Sequence, residues 1–163
     1  MYANKVLEEG PPNAGIKNAA TLYQGKVEYA KGNYQGAIER FESTIDNAKE
    51  ISAAEAQYLI GEVFHQQRKF KESNEVLFTM TENFSIYEYW LGMAFLLIAN
   101  NYMAMEEYLQ TRATLNSIIA NTESGLIANL AKIKLDHLDE IDTSYRIEDA
   151  DTILPDTVQD ENR

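Results

Sequence analysis

Residues Ala54–Met80 read AEAQYLIGEVFHQQRKFKESNEVLFTM, and the reading of this stretch decides the fold. Ile60-Gly61 is followed by Phe64, then by Phe70, Ser73, Leu77 and Met80, a spacing that predicts two antiparallel helices joined by a short turn. Gly61 removes a side chain so that the second helix can lie close, Phe70 plugs the turn, and Ser73 is the small contact where the helices cross. Leu77 and Met80 bury the second helix against a neighbour. One hairpin of this kind cannot bury its own apolar faces, so copies of it are required.

Two copies are found. Asn18 to Thr44 places Gly25, Tyr34, Ala37, Phe41 and Thr44 where the first stretch has Gly61, Phe70, Ser73, Leu77 and Met80. The third copy, running to Ile119, places Ala99, Tyr108, Thr111, Leu115 and Ile118 there, with Tyr102 for Phe64. The plugs at 34, 70 and 108 are 36 and 38 residues apart, and the residues beyond the usual period of about 34 are expected in helices or between repeats, not in the hairpin turns. Gly32-Asn33 makes the first turn, where Asn33 can cap the second helix. Ser52-Ala-Ala-Glu55 and Ser85-Ile-Tyr-Glu88 fit capping boxes and predict two further helix starts. From Ser124 to about Ile141, Leu126, Leu130 and Ile133 recur at helical spacing beside Ile127, Leu135 and Leu138, as a lid closing the stack would require. The expected fold is all-α: a right-handed α-solenoid of three helix hairpins and a C-terminal capping helix.

The predicted organisation is a lead at 1–12, either the end of a preceding helix or disordered, a helical repeat domain at 13–141, and an acidic, disordered tail at 142–163. The tail holds seven acids against Arg146 and Arg163, so it carries −5 of the formal charge of −12. With 14 basic residues against 26 acids, the chain lacks the basic stripe that phosphate backbones demand, and no nucleic-acid partner is expected. The longest apolar run, Trp90–Ala99, is far short of the roughly 18 residues of a membrane span, so a soluble chain without direct membrane insertion is expected. Met1–Gly15 has no secretory pattern. With no cysteine among 163 residues, the fold rests on apolar packing, and thiolate metal sites and thiol nucleophiles are excluded.

These hairpins resemble the tetratricopeptide repeat family over Asn18–Ala120, with Ser124–Ile141 as the cap. Tyr58-Leu-Ile-Gly61-Glu and Tyr89 to Ala99, ahead of Thr114 to Ile119, look like the repeats of bacterial cell-envelope proteins: the outer-membrane assembly lipoprotein, the Tol-Pal coordinator, and the C-terminal part of large multi-repeat proteins. The sequence departs from the pattern where Lys49, Ser85 and Glu123 replace the closing proline, and where Gln24 and Glu28 stand for Leu and an aromatic. The resemblance implies a non-catalytic scaffold that grips a peptide or protein segment in a groove lined by first-helix residues. By position these are Leu22, Lys26, Tyr29, Tyr58, Glu62, His65, Gln66, Leu96, Asn100 and Met103, with Ala30 and Ala104 beside them. The family's carboxylate clamp would use the row Lys26, Glu62 and Asn100, where the acid opposes it; a neutral or mildly basic segment held by aromatic burial is expected instead. The resemblance also implies an envelope-associated or periplasmic setting within a longer chain, and a cytoplasmic one otherwise.

No catalytic, cofactor or metal residues are expected. His65 and His137 share no ligand spacing, Glu8-Glu9, Glu106-Glu107 and Asp139-Glu140 point to different faces of a helix, and no phosphate loop or nucleophile motif is present. Tyr87, Tyr89 and Trp90 read as packing and Asn83-Phe-Ser85 as no more than a chance glycosylation match. Two readings stay open: an interaction module for another protein, or an architectural subunit that self-associates through its repeat ends.

Overall fold

A computed structural model describes residues 14–48 and 50–152, with side chains described for 15–48 and 50–142. The lead at 1–12, Lys49, and the part of the tail beyond Thr152 lie outside these residues. All regular structure described is helical: α1 (Ala14–Ala30), α2 (Tyr34–Asn47), α3 (Ile51–Gln66), α4 (Phe70–Phe78), α5 (Met80–Asn83), α6 (Glu88–Ala104), α7 (Tyr108–Asn121) and α8 (Gly125–Thr152).

The three turns α1–α2, α3–α4 and α6–α7 share one backbone design. Each has three residues, and the middle one (Gly32, Arg68 or Glu106) has φ of 78°, 60° and 60° respectively. In each turn the middle N–H donates three residues back, to Tyr29, His65 or Met103 O, at 2.9–3.0 Å. The third N–H donates to Glu28, Phe64 or Tyr102 O at 2.9 Å, so the last carbonyls of each first helix are satisfied identically. The plugs Tyr34, Phe70 and Tyr108 each open the helix after the turn, half-buried. Asn33 Oδ1 accepts from Gly36 N at 3.2 Å, capping α2. A left-handed conformation costs a side-chain-bearing residue about 1–2 kcal/mol, and only the first turn has glycine there. Arg68→Gly and Glu106→Gly are therefore each expected to stabilise the chain by about 0.5–1 kcal/mol, less than the strain relieved because glycine also loosens the unfolded chain. Urea unfolding curves check this; unchanged or lower midpoints would contradict it.

Each of the three turns keeps to three residues, and the longest connection between long helices, from Phe78 to Glu88, lies elsewhere. α4 stops at Phe78 and a short α5 follows because the Val76 carbonyl, which Met80 N–H would use, accepts from Thr79 Oγ1 at 2.7 Å and Gln57 Nε2 at 3.0 Å. Seven helices were expected; this break makes eight among the described residues. Neither capping box is used. α3 begins at Ile51 with Glu50 as its cap, leaving Ser52 Oγ buried inside the first turn without a partner among the described residues. α6 begins at Glu88 after Tyr87, and Ser85 stands in an exposed turn. The last helix does not end near Ile141; α8 continues to Thr152, and Arg112 of α7 holds both Asp139 and Asp142 on it.

Every helix packs on the next long one. The first helices of the pairs also pack on one another, α1 on α3, α3 on α6 and α6 on α8, whereas the backbones of α2, α4 and α7 do not pack directly together. The core is accordingly a series of three. Leu22, Ala37, Phe41, Ala56, Ile60 and Val63 fill the space among α1, α2 and α3. Ala54, Tyr58, Leu77, Met80, Ala94 and Ile98 fill that from α3 to α6. Leu96, Ala99, Leu115, Ile118, Ile127 and Ala131 fill that from α6 to α8. The crossing points are small as their spacing requires. A Cβ on Gly25 would stand 2.5 Å from the Phe41 ring and one on Gly61 2.5 Å from Leu77 Cδ2. Ala37, Ser73 and Thr111 are fully buried opposite.

Candidate functional site

Tyr58, Glu62, His65 and Gln66 recur at three- and four-residue spacing, so one face of α3 carries all four. Tyr29 of α1 joins them, close enough to Glu62 to feel its charge. Burial, with Glu62 second, pushes the Tyr29 phenol up to about 12, and the same causes raise that of Tyr58. Both stay neutral donors at any physiological pH. The Tyr58 ring lies 5.4 Å from Trp90 of α6, and Tyr89 meets Trp90 edge-on at 5.1 Å, so the aromatic surface continues onto the third pair.

Glu62 is the group out of place. It is half-buried among tyrosines, and the ion pairs of the described residues (Lys26–Glu55, Lys31–Glu28, Arg112 with Asp139 and Asp142, His137–Glu140) leave it out. Burial raises its carboxyl above the ordinary 4.5, with His65 pulling partly the other way. The folded state then takes up this proton before the unfolded chain does as pH falls. Stability therefore declines as pH rises from about 4.5 through the raised folded value, and the ionised carboxylate is a net cost at neutral pH. Glu62→Gln is expected to raise the melting temperature at pH 7 and to leave it unchanged near pH 4; an equal effect at both would rule out ionisation as the cause.

Beneath this face a buried chain of polar groups fixes His65. Ser73 Oγ donates to the Gly61 carbonyl at 2.7 Å, and the Asn101 amide donates to Ser73 Oγ at 2.8 Å and to Asn74 Oδ1 at 2.7 Å. With both its hydrogens committed, Asn101 offers Oδ1 to His65 Nδ1 at 2.6 Å. Nδ1 therefore carries a hydrogen and donates it to Asn101 Oδ1. Phe70 holds the ring from the side, centroids 5.4 Å apart.

The ten expected groove residues do not form one surface. Tyr29, Tyr58, Glu62, His65 and Gln66 come together. Leu22 and Leu96, at 6% and 4% exposure, are core residues beneath it, and Tyr58 at 8% offers little more than an edge. Lys26 is committed to Glu55 of α3. Asn100 and Met103 line a different cavity of about 270 Å³ between α6 and α8, with Ile133, Lys134 and His137 opposite. Lys134 is half-buried there, and burial lowers its pKa. Two features were not read from the sequence: the closeness of Trp90 to Tyr58, and the polar chain through Asn101. The only signal for the latter was an Asn100-Asn101 pair ending an apolar helix.

Among the described residues, no group of histidines and acids could hold a metal ion, and no helix is long and apolar enough to cross a membrane. Compared with models of known protein families and with curated proteins, the chain matches none.

Proposed function

We propose that the chain is a non-catalytic interaction scaffold: a right-handed solenoid of three tetratricopeptide-like hairpins with α8 as cap, whose α1–α3–α6 face receives a segment of another protein. Support for the repeat reading comes from the shared turn geometry and the unbroken row of first helices. The observation that carries the function is Glu62, an uncompensated half-buried carboxylate flanked by tyrosines. A charge kept at a cost to stability calls for a partner that neutralises it. A lysine or arginine side chain does so, its stem lying on Tyr29 and Tyr58 edges, with Gln66 beside it to accept a further hydrogen bond.

The test is selection of peptides from a displayed random library on the whole chain. Selected peptides should share a basic residue among apolar ones and lose about tenfold or more in affinity on Glu62→Gln, the effect of removing one half of a desolvated charge pair. Peptides indifferent to Glu62→Gln but displaced by changes on α2 or α4 would place the binding surface elsewhere and end this reading.

A further inference from the structure

Lys134 stands half-buried on α8 with no acid to meet it: the ion pairs of the described residues leave it out, in a chain of 26 acids against 14 basic residues. It lines the cavity of about 270 Å³ between α6 and α8, which Thr111 and Leu115 of α7 close from a third side. Met103 and Ile133 complete the apolar wall, and Asn100, whose side chain makes no hydrogen bond among the described residues, lines it beside them. None of the lining residues is acidic, whereas three other cavities of comparable size each carry two acids in their walls. An anion is repelled at those three and meets a cation here. Burial lowers the Lys134 pKa, the mark of an ammonium short of both water and counter-charge.

We propose that this cavity binds a small aliphatic carboxylate, its charge held by the Lys134 ammonium and the Asn100 amide and its carbons lying on Met103, Leu115 and Ile133. A carboxylate accepts hydrogen bonds from both donors and supplies Lys134 with the counter-charge it lacks. His137, which also lines the cavity, is exposed and has Nδ1 3.6 Å from the Glu140 carboxylate. The space equals that of about nine waters at ~30 Å³ each, which suits a straight chain of about six carbons. Longer chains extend past the mouth into solvent. The α7 wall sets the site apart from the row Lys26, Glu62 and Asn100 along the first helices. It uses neither Glu62 nor the α3 face and is independent of the peptide-binding reading.

The test is a titration of the isotope-labelled whole chain with sodium hexanoate, up to about 20 mM at pH 7 and about 0.15 M salt, followed by amide chemical shifts. Saturable shifts should gather on α6 after Ala99, on α7 before Leu115 and on α8 around Lys134. Affinity should rise about fourfold per methylene from butanoate to hexanoate and level off by octanoate. Lys134→Met keeps an unbranched stem at a half-buried position, so the fold stays and hexanoate affinity should drop about tenfold or more. The uncharged 1-hexanol should bind both chains alike. Glu62→Gln should bind hexanoate as the parent does, which keeps this result separate from the fate of the peptide-binding reading. No saturable shift over this range would overturn the proposal. So would equal hexanoate affinity in the parent and Lys134→Met, or hexylamine binding as tightly as hexanoate, either of which would show an apolar hole with no preference for anions.

Discussion

Replacing Asn101 with alanine is expected to destabilise the chain by about 3–5 kcal/mol, among the largest effects open to a single exposed or buried polar residue. The side chain is 0% exposed and makes three hydrogen bonds, to Ser73, Asn74 and His65, at 2.6–2.8 Å. Its removal leaves the buried Asn74 carbonyl oxygen and the part-buried His65 Nδ1–H without partners, each at about 1–3 kcal/mol. Asn101→Leu separates this from lost volume. It refills most of the space but restores no hydrogen bond, so it should be nearly as damaging as alanine. Urea unfolding monitored by circular dichroism gives both numbers; full rescue by leucine would show that packing, not hydrogen bonding, sets the cost. Because the three partners sit on α3 and α4 and Asn101 on α6, the same change should also speed amide hydrogen exchange in α6 ahead of global unfolding.

The second large effect is at Phe41, fully buried among Leu22, Ala37, Ala56, Ile60 and Val63. Phe41→Ala should cost about 3–5 kcal/mol through lost burial and the cavity left behind. Gly25 lies directly beneath the ring, so Gly25→Ala alone forces the ring aside and should cost about 1–3 kcal/mol. In the Phe41→Ala background the ring is gone and only the Arg40 Cβ, at 3.1 Å, still crowds the methyl, on a helix where alanine is favoured over glycine by about 0.5–1 kcal/mol. The cost of the Gly25 change should therefore largely vanish, and a double-mutant cycle should return a coupling of about 1–3 kcal/mol. Additive single and double variants would show that the helices of the first pair can slide apart without loss.

How far the chain could be read in advance follows from how local each determinant is. The crossing points were legible because a glycine sixteen residues before a large apolar residue, with a small residue twelve after it, has one reading in a helix hairpin, and Gly61, Ser73 and Leu77 meet as that reading requires. The turns were legible from Gly32-Asn33 and the aromatic plugs, although nothing in Gln67-Arg68-Lys69 or Met105-Glu106-Glu107 announced the same left-handed geometry. The helix starts were misread. A capping box is a local preference worth about a kilocalorie, and the packing of Ala53, Ala54, Ala94 and Leu97 outweighs it, drawing α3 back to Ile51 and α6 forward to Glu88. The break at Thr79 depends on Gln57, twenty-two residues away. At the site, helical spacing puts Tyr58, Glu62, His65 and Gln66 on one side of α3. It could not say that Leu22 and Leu96 would be covered, or that Asn100 and Met103 would turn toward α8, since burial is decided by which helix comes next.

The packing of first helices on one another, while α2, α4 and α7 stand apart over an open cleft of about 380 Å³ between α2 and α4, bears on mechanics. Bending that closes the cleft strains few contacts, whereas bending that opens the α1–α3–α6 seam must separate close-packed backbones. The chain is thus compliant in one direction and stiff in the other, like a strip hinged along a single edge, and a load applied along its length would be carried by that edge.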